Sequence, residues 1–213
     1  MRDLSQDLTS GDPYPGDPPA SLTPHATMEE DGHRVAELDC CTHSGTHVDA
    51  PSHLRGDGAS LGAFDVADFH FDARVVDCTG VGAREPIPAE RVPGTDADLV
   101  LFHTGFAAHW GTDGYADHPY LSVGAAERCA DGGCAVGVDA PSVDPTPGEN
   151  ASDDEPSGYP AHQALLGANL VILENLRNLA GLPERVTVHA YPLPVDADGA
   201  PARVVAAPGR PSR

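Results

Sequence analysis

The chain has 213 residues, is 40% hydrophobic and 5% aromatic, and sets 33 acidic against 12 basic side chains for a net charge of −21. That length and apolar content predict one domain, residues 1–213, with its own core, and the 23 Gly and 21 Pro are spread rather than gathered, which excludes wholesale disorder. The acidic balance repels phosphate backbones and anionic headgroups, so nucleic-acid and membrane-surface binding are excluded, and no apolar run approaches the roughly 20 residues of a bilayer span.

Residues 9–23, dense in Gly, Pro and Asp, read as surface turns or extended chain. Residues 33–38 read as a strand that runs into Asp39-Cys40-Cys41 and then a polar, histidine-rich loop over residues 42–53. Short apolar runs at 74–78, 99–102, 135–138, 170–173, 186–188 and 203–206 predict further strands, several of them buried. Helices are predicted at 121–130, with Ser122 as N-cap and Gly132 as the stop, and at 161–166. The last two strands are expected to pair across the turn chemistry of Asp196-Ala197-Asp198-Gly199. This succession predicts a single α/β domain with a mixed sheet.

The charge has an uneven makeup of 23 Asp, 10 Glu and 12 Arg, with no Lys. One reading is adaptation to molar salt, where the Debye length shrinks to about 3 Å and dense surface carboxylates repel each other little. Drift in a GC-rich genome is the other, explaining the missing Lys better than the Asp excess. Cys40, Cys41, Cys78, Cys129 and Cys134 form no C-x-x-C pair, and their odd number predicts reduced, mostly buried thiols. Residues 1–19 contain charges and prolines but no continuous hydrophobic segment, so a cytoplasmic location is expected.

The stretch Thr42-His43-Ser44-Gly45-Thr46-His47-Val48-Asp49-Ala50-Pro51-Ser52-His53 concentrates three imidazoles and a carboxylate. A tightly wound loop, set by Gly45 and Pro51, would turn His43, His47 and Asp49 toward a common point. Borderline divalent ions such as zinc take such nitrogen and oxygen donors, and a catalytic site keeps a position open for water. Glu174 lies in an otherwise apolar strand, where a carboxylate needs a metal, an Arg partner or a proton. Asp139 and Asp144 either support such a site or bond local backbone. Trp110, Phe106 and Tyr120 are read as core, and the remaining histidines receive no role.

The block matches the H-x-G-T-H-x-D-x-P-x-H signature of the metal-dependent cyclase family, which includes bacterial kynurenine formamidases and isatin hydrolases. Gly137-Val138-Asp139-Ala140-Pro141-Ser142-Val143-Asp144, Pro160-Ala161-His162 and Ile172-Leu173-Glu174-Asn175-Leu176 resemble its later blocks, and Pro13-Tyr14-Pro15-Gly16-Asp17 its N-terminal segment. The resemblance implies a swivelling β/β/α fold, usually homodimeric, and metal ligands at His43, His47, Asp49, His162 and Glu174. Their metal would be divalent, one or two ions, zinc first and manganese second. It places the proton donor and acceptor at His53 and a substrate contact at Tyr14, a slot that typically holds Trp in the formamidases.

The activity implied is cleavage of a carbon–nitrogen amide bond by water that the metal activates, with N-formyl-L-kynurenine giving L-kynurenine and formate as the leading small-molecule reaction. A cyclic amide or lactone hydrolase and a polyketide-type cyclase are the alternatives within the family. A non-catalytic metal-binding protein is the alternative outside enzymes, and a proton-transferring His53 beside a full ligand set argues against it.

Overall fold

In the computed structural model, which describes residues 1–94 and 96–208, the apolar runs pair into one sheet. In chain order the elements are β1 (Arg2–Asp3), β2 (Ser21–Ala26), α1 (Met28–Asp31), β3 (Val35–Asp39), β4 (His47–Asp49), β5 (His70–Asp77), β6 (Pro86–Ile87), β7 (Leu99–His103) and β8 (Tyr120–Leu121). After them come α2 (Val123–Asp131), β9 (Ala135–Val138), α3 (Pro160–Gly167), β10 (Ile172–Glu174), β11 (Arg185–Pro192) and β12 (Gly199–Pro208). Seven strands close a barrel in the order β12-β11-β5-β7-β9-β10-β4, with β4 returning to β12 and β1 extending the same edge of β12. β5, β7, β9 and β10 are mutually parallel, while β11, β12 and β4 contribute antiparallel pairs, so the expected mixed sheet is present and closure leaves it few edges.

Alternation along each strand sorts side chains between two layers. Val48, Leu99, Leu101, Leu173 and Val188 fill the barrel interior. Their neighbours Val100, Phe102, Val136, Val138 and Ile172 face outward, where Ala125 and Cys129 of α2 and Leu165 and Leu166 of α3 cover them. Gly137 belongs to the inner set and has no room for a side chain, since a Cβ there would lie 2.6 Å from Leu101 Cδ2 and 3.0 Å from Leu176 Cδ1. The N-cap at Ser122 is as expected, its hydroxyl accepting from the Ala125 amide at 3.2 Å.

Three local expectations change. The histidine-rich segment is not a wound loop throughout: His47–Asp49 is a barrel strand, inconspicuous in sequence because its outward residues are polar and only Val48 points inward. The segment read as irregular ends in β2, which pairs with β3 outside the barrel, and both strands of this ribbon are almost wholly exposed. The short ribbon of β6 and β8 carried no sequence signal. All five cysteines are free, and Cys78, Cys129 and Cys134 are buried. No helix among the described residues is long and apolar enough to cross a membrane.

His118 is enclosed as a neutral ring, its Nδ1–H donating to the Pro119 carbonyl at 2.9 Å and its Nε2 accepting from the Thr146 hydroxyl at 2.8 Å. Burial lowers its pKa from 6.5 to about 4, against the opposing pull of the Pro119 carbonyl. The unfolded chain therefore takes up a proton below about pH 6.5 that the folded chain refuses, and stability falls as pH drops from there toward 4. At about 1.4 kcal/mol per unit, this group costs on the order of 3 kcal/mol by pH 4. The stability advantage of the wild type over His118→Gln, measured by urea unfolding, should shrink by about that amount between pH 7 and pH 4.

Candidate active site

The outward residues of β4 and β10 meet at one end of the barrel. In this antiparallel pair Glu174 lies opposite His47 and Ile172 opposite Asp49, so the period of two puts His47, Asp49 and Glu174 on one face with Leu173 and Val48 behind them. His47 Nδ1–H donates to the Gly45 carbonyl at 2.9 Å, which leaves Nε2 as the free nitrogen, 3.2 Å from Asp49 Oδ1 and 3.5 Å from Glu174 Oε2. The Gly45 carbonyl is itself held by the Asn175 amide at 2.8 Å, and the Asn175 oxygen accepts from the Tyr115 hydroxyl at 2.9 Å. His43, ahead of the strand, brings Nδ1 to 2.8 Å from Asp49 Oδ1.

His162 arrives from the first turn of α3. That helix has no side-chain N-cap of its own, since Tyr159 precedes it with φ 58°. Asp144 takes over, accepting from the Ala161 and His162 amides at 2.9 Å each and from His162 Nδ1–H at 2.7 Å. One carboxylate thus caps the helix and turns the His162 ring so that Nε2 sits 3.3 Å from Glu174 Oε1 and 3.7 Å from Asp49 Oδ2. Asp139 does bond backbone, but not the local backbone expected: its oxygens accept from the Thr104 and Gly105 amides at 2.6 and 2.9 Å, 35 and 34 residues away in the chain.

Among the described residues three groups of donor atoms lie within 4.8 Å of one another: His43–His47–Asp49 and Asp49–His162–Glu174, which are the more buried and share Asp49, and the more exposed His43–His53–Asp198. Burial pushes the Asp49 carboxyl up, but the facing imidazoles, His47 first and then His162 and His43, hold it well below its ordinary value. Burial likewise pushes His47 and His162 down, and the facing carboxylates hold both well above the usual imidazole range. The site therefore demands positive charge. Asp49 Oδ2 is buried without a hydrogen bond, and the free nitrogens of His47 and His162 converge on the same carboxylates, so the donor set fits a divalent metal.

The profile of a family described as "Putative cyclase" matches residues 2–145. The chain belongs to the cyclase family. Among its relatives, a kynurenine formamidase of Salinibacter ruber is 34% identical over 198 residues, 90% of this chain and 89% of that one. A solved structure described as a potential metal-dependent hydrolase with cyclase activity is 29% identical, with a TM-score of 0.75 and 96% of both chains covered. Isatin hydrolase A from Ralstonia solanacearum shares the fold at a TM-score of 0.84 and 24% identity, over 96% of this chain and 90% of that one.

In this cyclase-family chain the paired donor groups open into a cleft of about 840 Å³, with His53, Tyr14, Tyr159 and Trp110 in its walls and Asp12, Asp17, Asp113 and Glu149 among its acidic lining. Trp110 corrects the expectation of a core residue: it is half-buried in the cleft wall, edge-on to Tyr115. Tyr14 reaches the same cleft. Its hydroxyl is buried without a hydrogen-bond partner, and burial, with Tyr159 and Glu174 nearby, pushes its pKa up. His53, on the turn after β4, places its ring 4.1 Å from that of His43 and 6.0 Å from that of His162, centre to centre. Asp198 was missed as a site residue. Its Oδ2 lies 3.1 Å from His43 Nε2 and 3.2 Å from His53 Nδ1, and its place in a D-x-D-G turn had explained it fully without a site. Asn175, at φ 56°, was likewise quoted without a role.

Replacing Asp144 by Ala removes both the α3 cap and the acceptor of His162 Nδ1–H. Zinc affinity, measured by competition with a chromogenic chelator, should fall about 10- to 100-fold while the fold is retained.

Proposed function

We propose that the chain is a cytoplasmic metal-dependent amide hydrolase that cleaves N-formyl-L-kynurenine to L-kynurenine and formate, a substrate supported by the name kynurenine formamidase that its relative from Salinibacter ruber carries. The observation that carries this reading is the pair of donor groups sharing Asp49, set beside His53 at the floor of an aromatic-walled cleft. His43, His47, Asp49, His162 and Glu174 would hold one or two zinc ions, with manganese as the second choice for nitrogen and oxygen donors. When bound, the metal supplies Lewis acidity, lowering the pKa of water and polarising an amide carbonyl.

The chain's own residues do the rest. His53, with Nδ1 toward Asp198, keeps Nε2 for the proton that must reach the departing nitrogen. Tyr14 and Trp110 offer aromatic faces to an aryl amide, and the unpartnered Tyr14 hydroxyl offers a hydrogen bond. The acidic lining favours the ammonium group of an amino-acid substrate, and no Arg lies among the described lining residues.

In molar salt, which the −21 charge suits, the zinc-loaded chain should release kynurenine from N-formyl-L-kynurenine. Glu174→Gln and His53→Ala should each lower kcat at least about 100-fold. A folded chain that binds zinc stoichiometrically without turning this substrate over would overturn the assignment and point to cyclic amides or lactones.

We also infer a homodimer built on the ribbon of β2 and β3, which exposes Leu22, Met28, Val35 and Leu38 and has no layer of the described residues against it. An isolated two-stranded ribbon is marginal in water, and apolar exposure on both strands and their connection suits a second copy. Light scattering should give twice the chain mass, and Leu22→Glu with Leu38→Glu should give the monomer.

A further inference from the structure

The turn between β11 and β12 is fixed to the segment that carries His53 by bonds that have nothing to do with chemistry. The Ala50 amide donates to the Asp198 carbonyl at 2.8 Å and the Leu61 amide to the Ala197 carbonyl at 2.9 Å. The Ser60 hydroxyl bonds Asp196, and Gly62 has no space for a Cβ, which would lie 2.6 Å from Asp196 Oδ1. At the next position the His43 ring lies so close over Gly199 that a Cβ would stand 2.8 Å from His43 Cε1. The turn is therefore shaped around the His43 ring, and it presents one carboxylate oxygen to two imidazoles.

We propose that Asp198 is a positioning residue: its Oδ2 accepts from His43 Nε2–H and His53 Nδ1–H together, so that one oxygen sets the tautomer of a metal ligand and of the proton-transferring ring. The consequence follows from ring geometry. With Nε2 of His43 protonated toward Asp198, Nδ1 carries the lone pair and faces the Asp49 side, 2.8 Å from that carboxylate. With Nδ1 of His53 protonated, the lone pair lies on Nε2, across the ring from Asp198. The carboxylate stands on the turn that leads into β12, the strand that pairs with β4 to close the barrel, so the two rings keep their relative placement only while the barrel is closed. The role of His53 rests on the amide-hydrolase reading, but the tautomer it holds does not.

The test uses the full chain loaded with saturating zinc. Nitrogen-15 spectra of labelled histidine, with His53 assigned by its loss in His53→Ala, should show His53 as the Nδ1–H tautomer in the wild type and as predominantly Nε2–H in Asp198→Ala. In the isosteric Asp198→Asn, which guards against a folding failure, the Nδ1–H preference should weaken with zinc stoichiometry and melting temperature retained. With N-formyl-L-kynurenine, Asp198→Ala should lower kcat roughly 10- to 100-fold with KM within about twofold. Added to His53→Ala at saturating zinc, the same change should lower kcat by much less than it does alone, because only the part of its effect that passes through His43 is left. An unchanged His53 tautomer in Asp198→Ala, additive losses in the double variant, or loss of a zinc equivalent at saturation would each overturn the proposal. Absence of turnover in the wild type would remove the hydrolase reading and leave the spectroscopic comparison to decide the role of Asp198.

Discussion

Two carboxylates, Asp49 and Glu174, are buried side by side on neighbouring strands, and the organisation of the site follows from the need to compensate them. An uncompensated carboxylate in such surroundings costs several kcal/mol. The chain answers with three imidazoles that close on the pair from three elements: the segment before β4, β4 itself and the start of α3. Each ring is held at its other nitrogen by a different acceptor, the Asp198 carboxylate for His43, the Gly45 carbonyl for His47 and the Asp144 carboxylate for His162. Fixing the outer nitrogen directs the inner one, so the ring orientations do not depend on what the centre holds.

The barrel makes this arrangement affordable in packing terms. Because β4 and β10 are short and pair antiparallel, their inner residues Val48 and Leu173 anchor them in a filled interior while their outer residues are free to be polar. The interior tolerates no slack, as the missing side chain at Gly137 shows, and a filled barrel cannot slide its strands by one residue without turning the site face inward. α3 contributes twice, covering the outer layer with Leu165 and Leu166 and presenting His162 from its first turn. Asp144 links these functions, since the carboxylate that caps the helix also orients the His162 ring.

Much of this was legible in the sequence. The runs at 99–102 and 135–138 are apolar on both faces because both faces are buried, and they gave strands with nearly their final bounds. The donor cluster of residues 43–53 was legible because imidazoles and a carboxylate at such density stand out, and the fold brings His43, His47 and Asp49 together. The strand character of His47–Asp49 was not, since three residues with a single apolar member carry no period. Asp198 was hidden for a different reason: a carboxylate beside a glycine between two strands satisfies every rule for a turn, and only its distance to His43 and His53, 155 and 145 residues away in the chain, reveals another use.

By itself, then, the sequence determined the kind of chemistry, through the donor types of His43, His47, Asp49, His162 and Glu174, and the class of fold, through its short buried runs. The tertiary structure decided which nitrogen of each ring faces the centre, that Asp49 stands in both donor groups, and that Asp144, Asn175 and Asp198 hold the ring orientations. The division has a physical cause. Residue type fixes what an atom is able to bind, whereas orientation is set by hydrogen bonds from distant strands, which exist only once the barrel has closed.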